Sequence, residues 1–201
     1  MKKTAILLLA LIFVWATVAD AENFAAVKYG HVIYAQEADS AWEGSHLYYP
    51  ADAFGIMIGT ENNRWIARLD ASRERTGVEF QHNLGVAYDG VRINMMPVTI
   101  QFGRRFGDKA RTSAYLLAGA GIMINKADIW KYKPTPFEGR MDNSPCAVAT
   151  LGIEKQLTKH LYAFAEGRYL YSKARVEISG YNSFTEDISS TSVWGGLGWK
   201  W

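Results

Sequence analysis

Three residues in one polar stretch have the types that acyl-transfer chemistry requires. Ser45 and His46 are adjacent, and Asp52 follows six residues after His46. Serine, histidine and aspartate together activate a hydroxyl nucleophile only when the fold holds them as a triad, and closeness in sequence does not supply that geometry. All three types are also common in loops, so a catalytic and an ordinary loop interpretation both stay open.

The other residues with reactive side chains form no recognisable site. Cys146 is the single cysteine, so it has no internal disulfide partner, and it is expected to be a small half-buried residue rather than a reactive thiol. There is no phosphate-binding Gly-Lys-Ser/Thr motif and no dinucleotide fingerprint. Metal-ligand spacing is absent among the four histidines, which are His31, His46, His82 and His160. We therefore predict no catalytic, cofactor-binding or metal-binding residue and a protein that is not an enzyme.

Composition limits the fold and the partners of the chain. Its 201 residues suit one domain, and 18 Gly, 7 Trp, 11 Tyr and 9 Phe lie largely in short alternating runs. This pattern favours an antiparallel barrel over a helical core. The net charge of +2 gives no concentrated basic surface, so nucleic acid is not an expected partner.

The first 21 residues have the three parts of a secretory signal peptide. Lys2 and Lys3 precede an apolar run over 5–18, and Ala19-Asp20-Ala21 supplies small residues at a cleavage site. A retained membrane helix is the alternative, although the run is shorter than the roughly 20 residues that span a bilayer. We expect residues 1–21 to be removed and residues 22–201 to form the exported domain.

The stretch 190–201 shows the clearest two-residue period. Its first face is mostly apolar and carries Val193, Gly195, Leu197, Trp199 and Trp201. Its second face is small or polar and carries Ser192, Trp194, Gly196, Gly198 and Lys200. Strands with one face in lipid and the other in a polar lumen alternate in this way.

Seven further alternating segments precede this one. The eight predicted strands cover 24–35, 53–60, 65–72, a part of 91–106, 111–125, 146–156, 161–173 and 190–201. Short turns are predicted at 61–64, where asparagine tolerates a positive φ, and at 107–110 and 157–160. Long loops are predicted over 36–52, 73–89, 126–145 and 174–189, and the loop over 73–89 is expected to have strand-like ends. Alternating long and short connections predict an all-β, eight-stranded antiparallel up-and-down transmembrane β-barrel.

The two faces of these strands carry different side chains. Three cations, three anions and one amide are predicted to point inward: Lys28, Arg68, Asp70, Gln101, Glu154, Glu166 and Arg168. Their balance favours an ion-paired plug over a narrow charge-lined conduit. Aromatics predicted to anchor the membrane interfaces are Tyr29, Trp65, Tyr169, Tyr171, Trp199 and Trp201. Loop aromatics, which either bind a surface or pack on the loops, are Trp42, Tyr48, Tyr49, Trp130 and Tyr132.

Three motifs in order give a family resemblance. They are Ala114-Tyr115-Leu116-Leu117-Ala118-Gly119-Ala120-Gly121, Tyr162-Ala163-Phe164-Ala165-Glu166-Gly167-Arg168-Tyr169 and the aromatic Trp199-Lys200-Trp201. With the signal peptide, they resemble the small outer-membrane β-barrel superfamily, in particular the OmpA transmembrane domain, OmpX and opacity-type porins. A terminal phenylalanine is usual in that group, and Trp201 departs from it.

The resemblance implies a location and a set of partners. We expect a protein of the Gram-negative outer membrane that contacts membrane lipids and lipopolysaccharide, is inserted by the barrel assembly machinery and presents its loops to an extracellular ligand or host surface. The expected role is structural, in envelope integrity or surface interaction. A narrow porin-like channel for small solutes is the alternative, and a lipid A-modifying enzyme that uses Ser45, His46 and Asp52 is a further one.

Overall fold

The computed structural model describes residues 21–34, 44–48, 50–62, 64–82, 87–108, 112–128, 139–178 and 183–201. Nearly all of the predicted signal peptide, residues 1–20, lies outside this part of the chain, so its cleavage stays a prediction. The described residues include no helix that is long and apolar enough to cross a membrane.

Eight antiparallel strands close a barrel in the described part of the chain. They are β1 (Glu22–Tyr34), β3 (Ala51–Asn62), β4 (Trp65–His82), β5 (Ala87–Gly107), β6 (Thr112–Asp128), β8 (Ser144–Gln156), β9 (Leu161–Ile178) and β11 (Ser190–Lys200). Each pairs with its neighbours in chain order, and β11 pairs with β1 from Phe24–Lys200 to Tyr34–Ser190. The predicted fold class and all eight predicted strands are confirmed.

Alternation along each strand separates an apolar outer surface from a polar lumen. On β1, the side chain of Val27 is 63% exposed, whereas that of the next residue, Lys28, is 3% exposed. On β11, Trp199 faces outward and Lys200 is buried. Because successive side chains of a strand point to opposite faces, one register assigns every residue of the barrel wall to the outer surface or to the lumen.

Several strands are longer than predicted, and the strand-like ends expected for the loop over 73–89 extend over most of that stretch. β4 continues to His82 and β5 starts at Ala87, and their pairing extends through Gly77–Arg92 to Gln81–Ala87, with an irregularity between Val78 and Phe80. Directly above the apolar belt, residues 73–77 of β4 are charged, polar or glycine on both faces, so the two-residue hydrophobic period is interrupted there. The backbone groups still need hydrogen-bond partners, and they find them across the strands.

Three short strands also lie inside predicted loops. β2 (Gly44–Tyr48) pairs with β4 beyond the end of β3, and β7 (Gly139–Met141) and β10 (Phe184–Asp187) pair with opposite edges of β9. The predicted loops over 36–52, 126–145 and 174–189 are therefore partly strand. These additions extend the barrel wall at the end away from the short turns.

Two local features also differ from the predictions. In the turn between β3 and β4, Arg64 has a positive φ of 78°. The sequence suggested an asparagine for such a backbone conformation. Pro97 lies in the middle of β5, although proline in a strand is ordinarily found at its first residue, at an edge or at a bulge. Because proline has no N–H to donate, the ladder between β4 and β5 lacks pairs between Ala71–Val98 and Glu74–Met95.

Candidate functional site: an ion-paired lumen

A set of buried charges, here called the upper charge cluster, crosses the middle of the lumen. It comprises Lys28, Asp70, Arg68, Glu166, Arg168 and Glu74, all with side chains that are almost fully buried. Lys28 Nζ lies 2.5 Å from Asp70 Oδ2, and Arg168 Nη2 lies 2.6 Å from Glu74 Oε1. Arg68 pairs with both carboxylate oxygens of Glu166. Three cations thus meet three anions.

Two of these pairs span the whole lumen. Arg68 and Glu74 lie on β4, and their partners Glu166 and Arg168 lie on β9. The strand order separates β4 from β9 by four steps in either direction, so the two strands face each other across the barrel. Asp70 lies 3.5 Å from Arg168 and 3.7 Å from Arg68, so its carboxylate links the two pairs. The cluster therefore ties opposite walls together.

Neutral groups complete the hydrogen bonds of the upper charge cluster. Tyr115 donates its hydroxyl to Glu166 Oε1 at 2.6 Å, and Tyr34 donates to Glu74 Oε2 at 3.0 Å. The carbonyl oxygen of Gln101 accepts from Arg68 Nη2 and from Thr150, each at 3.0 Å. Ions removed from water are tolerated when such bonds accompany their pairing, because the desolvation cost of an unpaired ion is several kcal/mol.

Trp194 lies against the cations of this cluster. Its ring is 4.4 Å from Lys28 Nζ and 5.0 Å from the Arg168 guanidinium carbon, both within cation–π range. A Cβ at Gly30 would lie 2.5 Å from the ring, so glycine is required for the tryptophan to lie flat on β1. Beyond the ring, the lumen away from the short turns is mostly apolar, with Val32, Met95 and Leu170 fully buried.

A second set, the lower charge ring, lies at the end with the short turns. Glu61, Arg105, Glu154 and Lys200 alternate in charge, and their strands β3, β5, β8 and β11 are every second strand of the barrel. The four N–O distances around the ring are 2.5, 3.0, 2.5 and 3.7 Å. Arg105 is bidentate to Glu61 and donates to Ser113 as well. The ring is balanced and spans the lumen at a second level.

The structure buries every residue that the sequence predicted for the interior: Lys28, Arg68, Asp70, Gln101, Glu154, Glu166 and Arg168. Sequence reasoning missed Glu61, assigned to a turn, Glu74, assigned to a loop, and Arg105. The two-residue period would have found all three. Each lies two residues beyond a lumen-facing position of its strand, namely Gly59, Ser72 and Gly103.

The outer face carries the predicted aromatic anchors. Tyr29, Trp65, Tyr169, Tyr171, Trp199 and Trp201 are all exposed. Trp65 stacks on Phe102 with ring centroids 5.0 Å apart, and Tyr29 lies 5.0 Å from Phe54. The side chains of the predicted loop aromatics Trp42, Tyr48, Tyr49, Trp130 and Tyr132 lie outside the described residues.

The candidate triad residues are not brought together by the described backbone. His46 pairs with Phe80 of β4, whereas Ala53, next to Asp52, pairs with Glu74, six residues earlier and about 20 Å along that strand. The side chain of Asp52 instead lies 3.3 Å from His31, and both are exposed. Nothing is described of the side chains of Ser45 and His46.

Cys146 is buried and free, in agreement with the small-residue interpretation. Within the described residues there is no group of three or more histidine, cysteine, aspartate or glutamate side chains that would hold a metal ion.

A closed eight-stranded wall, an apolar outer face and paired interior charges define the class of small up-and-down β-barrels. No family profile and no curated protein sequence matches the chain. Solved structures do match. The outer membrane protein OprG from Pseudomonas aeruginosa has a TM-score of 0.75 at 14% identity, over 90% of this chain and 96% of that one.

Two further structures give the same result. AlkL, solved in lipid bilayers, has a TM-score of 0.62 at 13% identity over 90% of both chains. Neisserial surface protein A has a TM-score of 0.59 at 13% identity over 90% of this chain and 97% of that one. The chain has the fold of this superfamily, as the sequence resemblance predicted. At these identities the likeness shows the fold alone.

Proposed function

We propose that the chain is an integral protein of the Gram-negative outer membrane with a structural, non-enzymatic role, and that its lumen is closed by paired charges. The observation that carries the proposal is the combination of two balanced charge sets across the lumen with an apolar belt outside. Export by the signal peptide, insertion by the barrel assembly machinery and exposure of the long connections to the outside belong to the same proposal.

The ion pairing supports a plug rather than a pore. A conduit for solutes needs water along the lumen and side chains that are free to meet the solute. Here Arg68, Arg105 and Arg168 each bond to at least one carboxylate on another strand, and their side chains are at most 3% exposed. Moving any of them aside would break pairs in a site of low dielectric.

Planar-bilayer recording separates the plug from the channel alternative. We expect the refolded protein to insert without discrete conductance steps. Its recordings are compared with those of a variant with Glu61→Ala and Arg105→Ala, which opens the lower charge ring. Insertion is checked by the different gel mobilities of unheated and boiled samples. Discrete steps from the unaltered protein would contradict the plug and establish the narrow channel.

Lipid A analysis tests the enzymatic alternative. Mass spectrometry of lipid A from cells with and without the protein should give the same acyl pattern. A changed pattern that Asp52→Asn abolishes would overturn the non-enzymatic role, since Asp52 is the one candidate triad residue whose side chain is described.

A further inference from the structure

Three outward-facing cations lie side by side just above the apolar belt. Arg73 and Arg75 are two residues apart on β4, and Lys126 of β6 pairs with Asn94, which itself pairs with Arg75. All three cations are exposed. Neighbouring strands are about 4.8 Å apart, so Arg75 and Lys126 are separated by about 10 Å at their backbones, within reach of one ligand for such long side chains.

These cations differ from the other exposed cations at this end of the barrel. Lys173 lies 4.0 Å from Asp187, Arg175 lies 3.4 Å from Glu177, and Arg140 lies 3.0 Å from Asp142. By contrast, the described residues supply no side-chain hydrogen bond or ion pair to the side chains of Arg73, Arg75 or Lys126. Asp52 on the adjacent strand contacts His31 instead. Among the described side chains, this sector thus carries three exposed cations that no carboxylate contacts.

The surface beneath this sector fits acyl chains. Phe54 of β3 pairs with Arg73 of β4 on one side and with Tyr29 of β1 on the other. The lowest cation therefore lies at the same height along the barrel as these two aromatic residues. Below them on β5 and β6 the outward residues are Met96, Val98, Ile100, Ile122 and Ile124. A ligand that matches both surfaces has phosphate groups above and hydrocarbon below. Arginine is suited to the upper part because its planar fork binds phosphate oxygens in pairs.

We propose that Arg73, Arg75 and Lys126 bind the phosphate groups of a phosphorylated, acylated lipid in the outer leaflet. The inference rests on the proposed function, because it needs the barrel to span a membrane with its short turns on the periplasmic side. It assigns the lipid contact to one sector, β4 to β6, rather than to the whole circumference.

The test compares two triple variants in nanodiscs of phosphatidylcholine with lipid A as a minor component. The first carries Arg73→Ala, Arg75→Ala and Lys126→Ala. The second, a matched control, carries Arg140→Ala, Lys173→Ala and Arg175→Ala, which removes the same number of exposed cations from the carboxylate-paired sector. Native mass spectrometry measures the lipid A retained by each protein after transfer to detergent. Parallel samples contain dephosphorylated lipid A, inorganic phosphate or heparin.

Each cation near an anionic membrane surface changes the affinity by about 5-fold, so the first triple variant should bind lipid A about 100-fold more weakly. The control variant should bind lipid A as tightly as the unaltered protein does. Dephosphorylated lipid A should bind to the unaltered protein as weakly as lipid A binds to the first triple variant. Equal binding by both triple variants would overturn the site. Retention that does not depend on the phosphate groups of lipid A would also overturn the site. Displacement of lipid A by inorganic phosphate or heparin at equal concentration would overturn it as well.

Gel mobility in the same samples separates this inference from the proposed function. If the unaltered protein fails to form a heat-modifiable barrel in the nanodiscs, the membrane-spanning proposal fails. If it forms the barrel but retains lipid A no better than the first triple variant does, the lipid site alone is wrong.

Discussion

The upper charge cluster predicts a large cost for removing Glu166. The substitution Glu166→Leu keeps a similar volume but leaves Arg68 without its main partner, and the side chain of Arg68 stays 2% exposed. Two charges 4 Å apart interact by about 4 kcal/mol at an effective dielectric of 20. Asp70, 3.7 Å from Arg68, offsets part of this loss. We expect a destabilisation of about 3 kcal/mol, the lower end of the range for breaking a buried ion pair.

The double variant Arg68→Met with Glu166→Leu distinguishes an unpaired charge from lost packing. It leaves Lys28 and Arg168 facing Asp70 and Glu74, so the cluster is again balanced. Replacing a whole buried ion pair by apolar residues is often neutral, so the double variant should be more stable than Glu166→Leu alone.

Urea unfolding in detergent micelles measures these differences, with the folded fraction read from gel mobility and approached from both the folded and the unfolded side. The control is Glu177→Gln, whose partner Arg175 is exposed, and its expected effect is below about 1 kcal/mol. A Glu166→Leu midpoint equal to that of the unaltered protein, or a double variant less stable than the single one, would refute the ion-pair reasoning.

Further predictions concern packing in the lumen. Gly152→Ala should cost about 1–3 kcal/mol in the same urea assay, because its Cβ would lie 2.3 Å from the Tyr115 ring. Gly167→Ala should leave the midpoint unchanged, because its Cβ would meet open space on the outer face; equal effects of the two would contradict this account. Trp194→Leu should cost about 2 kcal/mol through the lost cation–π contacts, and a midpoint unaffected by the change would show that Lys28 and Arg168 need no ring beside them.

The sequence predicts the transmembrane part of the barrel well, for a physical reason. An apolar outer face and a polar lumen impose a period of two, which is visible in Val27 and Lys28 of β1 or Trp199 and Lys200 of β11. Beyond the apolar belt that constraint ends. The first part of the continuation of β4, from Arg73 to Gly77, is charged, polar or glycine on both faces and does not differ from a loop in its pattern. The alternation returns only with Val78 and Phe80, and the pairing with β5 defines the whole stretch as strand.

The pairing of the interior charges could not be predicted from the sequence, for a different reason. Alternation shows that Arg68 and Glu166 point inward, but it does not show their heights along the barrel. The relative heights depend on the register of every strand between β4 and β9. A slip of one strand by two residues would keep each face unchanged and still give Arg68 a different partner.

The motif Trp199-Lys200-Trp201 combines two features that single substitutions can separate. Lys200 closes the lower charge ring through Glu154 and Glu61, whereas the aromatic side chains face outward and resemble the signal for barrel assembly. Deleting all three residues should impair outer-membrane assembly, but it removes both features at once. Lys200→Met keeps both tryptophans and should assemble normally while its urea midpoint falls, because two buried carboxylates lose a cation.

Trp201→Ala should have the opposite effects, impaired assembly and a nearly unchanged urea midpoint. The side chain of Trp201 is 60% exposed, and its backbone bonds to Asn23 in both directions at 3.0 Å, which the substitution retains. The stability of the purified barrel should therefore hardly change, while the amount of assembled protein in outer-membrane fractions falls. Loss of assembly in Lys200→Met with normal assembly in Trp201→Ala would instead mean that closure of the lower charge ring limits insertion.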